Sequence, residues 1–150
     1  MAIDVREAAV LVAAHLAFIV AVIHVSLGVL NWAKWLSVGF LLPRDVRWPL
    51  FVVSGLVILL GLPLANRLVD RRWIYLAGIV LMLGYIVGYF GWHLGGHRPL
   101  FIAGPGTHHE GPVLQYVVDH AFAGPVETLS LVAETLLVGL LGYLFVTEER

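Results

Sequence analysis

From Ala8 to Ala33 the chain carries no charged side chain, and the run is bounded by Glu7 and Lys34. About 20 apolar residues suffice to cross a bilayer, so this run is long enough. Three more runs are predominantly apolar: Trp48 to Asn66 between Arg47 and Arg67, Trp73 to Gly95 after Arg71 and Arg72, and Pro125 to Val146, which carries Glu127 and Glu134. In lipid the backbone must satisfy its own polar groups, so each run predicts a helix. The expected spans are approximately 8–31, 48–66, 73–95 and 125–146. Residues 1–150 therefore read as a single transmembrane domain, an all-α integral membrane four-helix bundle with a long His-rich connection between helices 3 and 4.

Composition supports the same solvent. The 150 residues are 60% hydrophobic and 13% charged. A soluble domain devotes about a quarter of its residues to charge, so the polar surface needed in water is missing. The first partner is the lipid bilayer. A net charge of −1 makes no case for nucleic acid. The absence of cysteine excludes disulfides, thiolate ligands and iron–sulfur clusters. Asp4, Arg6 and Glu7 precede the first run, where a cleaved leader would have a basic start, so that run reads as a retained helix.

Residues 32–47 hold Trp32, Lys34, Trp35, Pro43, Arg44 and Arg47 and read as an interfacial segment. Residues 96–124 form the longest connection, rich in Gly, Pro and His. Within it Val113-Leu114 and Tyr116-Val117-Val118 predict a short interfacial or re-entrant helix. Four spans put Arg6, Arg67, Arg71, Arg72 and Arg150 on one side and Lys34, Arg44, Arg47 and Arg98 on the other. The basic excess predicts both termini in the cytoplasm, with the His-rich connection outside.

Ionisable groups inside a span are costly, which makes them functional candidates. His24 shares a row with Ala13, Ala17, Ala21 and Gly28, small residues that let helices approach closely. That row should face the bundle and carry His24 inward. His15 lies about 180° away on the same helix and should be peripheral. On the third helix Tyr85, Tyr89, His93 and His97 follow at four-residue intervals, beside a glycine row, Gly84, Gly88 and Gly91, expected to pack closely. His93-x3-His97 matches the two-ligand spacing of helical metal sites, although Gly95 and Gly96 stand between. On the last helix Glu127, Ser130 and Glu134 share a face, with Glu134 near the midplane. Its depth matches that of His24 to within about one helical turn.

These residues define the candidate site. Imidazole and carboxylate together suit zinc, iron or copper. The leading expectation is a membrane-embedded metal-binding protein with a site in the outward half of the bundle. Its ligands would come from His24, His93, Glu127 and Glu134, with His97, His108, His109 and His120 as further candidates. It would do redox work or metal handling within a larger complex of membrane subunits or as a homo-oligomer. One alternative is a haem b anchor exchanging electrons with quinone, its haem held between His24 and His93. Another is a structural or proton- or ion-transport subunit without metal, its polar side chains joining helices.

Overall fold

The computed structural model describes residues 4–98 and 112–148, with backbone alone over 64–68. The described residues are all-helical: α1 (Val5–Ser37), α2 (Arg47–Leu68), α3 (Arg71–Leu94), α4 (Val113–Ala121) and α5 (Pro125–Thr147). Three of these, α1, α3 and α5, are long and apolar enough to cross a membrane. α2 offers a shorter apolar stretch, Arg47–Pro63.

Local chemistry sets the helix starts. The Asp4 carboxylate accepts from the Arg6 N–H, and the Asp70 carboxylate from the Arg72 N–H at 2.9 Å, so each satisfies a donor of a first turn. Pro125 opens α5, where a missing N–H costs nothing. α1 is longer than the sequence suggested. It runs past residue 31 through Trp32, Lys34 and Trp35, because no helix breaker intervenes before Gly39, whose φ is +86°. The stretch read as interfacial therefore begins as the last turns of α1, and the Trp32 indole donates to the Leu41 carbonyl beyond them. The short helix expected around residues 113–118 is α4.

The long helices run antiparallel, as cross-contacts show. Gly28 on α1 meets the Trp48 carbonyl and Val52 on α2, while Gly55 on α2 meets Val25 and the Ala21 carbonyl on α1. A Cβ at Gly28 would come within 2.7 Å of the Trp48 oxygen, so this seam depends on glycine. α5 lies against both α1 and α3, whereas α2 and α3 touch only lightly. Gly78 packs on Leu141 across the α3–α5 seam. Val20, Met82, Leu137 and Leu144 are fully buried. Arg6 pairs with Glu148 at the end of the bundle that carries the termini. Leu11, Phe18, Leu50, Leu60, Val80, Val87, Leu129 and Leu136 stand exposed on the outside. An apolar exterior of this kind suits hydrocarbon as solvent.

One packing expectation fails. Ala21 is buried and Ala17 packs on the core, as the small-residue row on α1 predicts. A Cβ at Gly84, Gly88 or Gly91, however, would meet nothing within 4 Å. The buried face of α3 is formed by Tyr75, Met82 and His93, with Tyr85 beside them. At about 100° per residue the glycine row lies roughly 150° round the helix from that face. Burying rings and a methionine outweighs the close approach glycines allow, so the larger residues face inward.

Candidate functional site

The structure divides the candidate residues into two clusters. The first lies deep in the bundle, where α1, α2, α3 and α5 all contribute. His24 and Glu134 are 4% and 3% exposed. His24 Nε2 stands 3.6 Å from a Glu134 carboxylate oxygen. The His24 Nδ1 is 2.9 Å from the Val20 carbonyl one turn earlier. A carbonyl can only accept, so Nδ1 carries a proton there. Ser130 donates to the same Glu134 oxygen at 2.7 Å, an i, i+4 bond along α5. The Tyr85 ring stacks on the His24 ring at 3.9 Å with 14° between planes, and Phe51 meets it edge-on at 4.7 Å. The Tyr85 hydroxyl donates to Ser54 at 2.6 Å, which links α3 to α2 across a sparsely packed seam.

The second cluster lies at the opposite end from the termini. His93, His97 and His120 each offer one imidazole nitrogen, and the three nitrogens lie within 4.8 Å of one another. Three different devices place them. His93 is in the last turn of α3, its Nδ1 2.8 Å from the Tyr89 carbonyl. His120 ends α4, its Nδ1 2.8 Å from the Tyr116 carbonyl. In both rings that bond puts the proton on Nδ1 and the lone pair on Nε2, and it fixes ring orientation as outer-sphere partners of metal ligands do.

His97 arrives differently. α3 stops at Leu94, so the helical i, i+4 geometry does not carry His97. Gly96 and His97 take φ of 81° and 61°, and the His97 N–H bonds back to the Trp92 carbonyl. This left-handed turn returns the ring to 5.0 Å from that of His93. Glycine adopts such a conformation readily and histidine does not, so His97 is held at some strain. The Trp92 indole donates to the Arg98 carbonyl and the Tyr89 hydroxyl to the His120 carbonyl, which tie the turn and α4 to α3.

Other candidates lie elsewhere. Glu127 is exposed in the first turn of α5, with its carboxylate against Gly124, and joins neither cluster. His24 and His93 belong to separate clusters, His24 facing Glu134 and His93 facing His97 and His120. His15 is exposed and bonds the Leu11 carbonyl, on the peripheral side with Ile19 and Val22. His108 and His109 lie outside the described residues.

Three participants were not anticipated. Ser54 and Phe51 complete the deep cluster from α2, and Arg47 lies 3.3 Å above the Trp92 ring while paired with Asp45. Serine and phenylalanine in an apolar run carry no signal of chemistry. Arg47 at a span boundary reads as an interfacial anchor until Trp92 is placed beside it. No family model, no curated protein and no solved structure matches the chain.

Proposed function

We propose that this protein is a four-span membrane protein that binds one divalent transition metal ion at His93, His97 and His120. The convergence of three imidazole nitrogens from a helix end, a cap turn and a second helix carries the reading. Zinc–nitrogen bonds of about 2.0–2.1 Å need ligand atoms roughly 3.4 Å apart in a tetrahedron, so a small inward shift would close the triad on an ion. Imidazole serves zinc, iron and copper alike, and the fourth position goes to water or to substrate. A position filled by water suits redox work or metal transfer, here within a larger membrane assembly.

α2 is the fourth span in this reading. Its uncharged run, residues 48–66, extends about 28 Å, close to the thickness of the hydrocarbon core. Its seam with α1 and its polar contacts with α3 side chains support a place inside the bundle. Both termini then face the cytoplasm and the triad lies at the outer surface.

Elemental analysis of the purified full chain tests the metal. One zinc, iron or copper per chain is expected, with none retained by His93→Ala or His120→Ala. A metal-free wild-type chain that also ignores added Zn²⁺ refutes the proposal. Reporter fusions at Arg71 and at the C-terminus, against one at Arg98, test the topology.

A further inference from the structure

The metal reading leaves the deep cluster unused, yet a carboxylate and an imidazole buried at the centre of an apolar bundle require an account. We infer that His24 and Glu134 form a proton-binding site, one exchangeable proton being held between His24 Nε2 and the Glu134 carboxylate.

Donor and acceptor roles lead there. Nδ1 of His24 gives its proton to the Val20 carbonyl, which leaves a lone pair on Nε2 of the neutral ring. The facing Glu134 oxygen already accepts from Ser130, and as a carboxylate it has only lone pairs to offer. Two acceptors 3.6 Å apart in a site that is almost wholly buried repel unless a proton or another donor lies between them. A metal ion needs more ligands than this cluster has. Among the described residues, the group of three or more His, Cys, Asp or Glu side chains close enough to hold one is His93, His97 and His120. The neighbouring hydroxyls are committed, Tyr85 to Ser54 and Ser54 to the Leu50 carbonyl. A proton needs only the two atoms present, once the side chains close by a few tenths of an ångström to hydrogen-bond distance.

Charge accounting agrees. A carboxylate, a neutral imidazole and one proton sum to zero. With no proton the pair carries −1, and with two it carries +1, each costly in an apolar interior. The groups facing the pair are Phe51 and Ser54 from α2, Tyr85 from α3 and Ser130 from α5, none of which is a fixed charge. The pair's charge therefore follows its own proton. Both placements of that proton are supported. Ser130 holds the carboxyl oxygen in either, and the stacked Tyr85 face favours an imidazolium when the proton is on nitrogen. Tyr85 lies two turns from His93 on α3, so the site is about 12 Å deeper than the triad. The bundle thus carries a proton well inside and a metal site at its surface.

Solid-state NMR of ¹⁵N-histidine-labelled full chain in lipid bilayers tests this. The His24 Nε2 signal is expected away from the position of an unprotonated nitrogen and should shift on transfer to D₂O. Glu134→Leu should move it to the unprotonated position, and Zn²⁺ added to the wild type should leave it unchanged. An unprotonated Nε2 with no isotope shift in the wild type overturns the inference. So does a His24 signal displaced by Zn²⁺, which would make the pair a metal site. The wild-type measurement stands alone if Glu134→Leu fails to insert.

Discussion

His24 and Glu134 project from the interiors of long helices, with hydrogen-bonded turns on both sides, whereas His97 hangs on a left-handed turn and His120 ends a nine-residue helix. The deep pair is enclosed by four helices; His97 and His120 are each partly exposed. The same side-chain chemistry is thus held in two ways. In the pair, ring position follows from helix periodicity and from the α1–α5 seam, and little can move without opening the bundle. In the triad, one helix end, one strained turn and one short helix must agree, and each can adjust by fractions of an ångström. A rigid pair suits a proton, which needs a fixed two-atom contact. An adjustable triad suits an ion that must enter, tighten its ligands and leave.

The sharpest test of that contrast is metal stoichiometry. His93→Ala should fall from one bound ion to none, while His24→Ala keeps its ion, as read by elemental analysis of each purified variant. Retention by His93→Ala with loss from His24→Ala would reverse the assignment of the two clusters.

Unfolding measurements should rank the clusters in the opposite order. Glu134→Ala strands His24 and Ser130 inside the bundle and should cost about 3 kcal/mol, the scale for breaking a buried pair. Replacing both His24 and Glu134 by Leu should restore most of that stability, because apolar pairs often equal buried ionic ones. His120→Ala should cost under about 1 kcal/mol, since its ring bond to the Tyr116 carbonyl lies at a partly exposed site. Equal losses at Glu134 and His120 would show that the triad is as deeply built into the fold as the pair.

The seams that enclose the pair supply the next comparison. Gly28→Ala drives a methyl into the Trp48 carbonyl and should destabilise by about 2 kcal/mol, as overpacking does. Gly88→Ala meets open space and should stabilise by up to about 1 kcal/mol through helix propensity. Similar losses at both positions would place a second packed surface on α3.

The last comparison concerns the cap turn. His97→Gly relieves a left-handed histidine and should stabilise by about 1 kcal/mol while weakening Zn²⁺ binding, measured by calorimetry. A variant that binds as tightly as the wild type would remove His97 from the ligand set.

Much of this was legible in the chain before folding. Hydrophobic runs and their charged borders predicted the long helices, because a helix in an apolar medium depends on its own residues and few others. The inward face of α1 was legible too, since Ala17, Ala21 and Gly28 share a row with His24. The turn-by-turn position of His24 and Glu134 was within reach because both lie on continuous helix, where depth is counted in residues.

What the sequence could not decide was which faces meet. Gly84, Gly88 and Gly91 had every mark of a packed row, yet α3 turns its aromatic and methionine face inward, a choice made by competition among surfaces. Glu127 shares a helix face with Glu134 but sits exposed at the helix start, turned back on Gly124. The triad depended wholly on tertiary structure. His93 and His97 are joined by a cap turn after the helix has ended, and His120 is brought to them across the connection by α4. Sequence alone determined the solvent, the helices and the residues with chemistry to offer, since these depend on local composition and period. The meeting of His24 with Glu134 followed from their matched depth on continuous helices, whereas only the folded chain decided that His93 leaves that pair and gathers His97 and His120, because such contacts depend on helix rotation and on turn dihedrals that non-local packing sets.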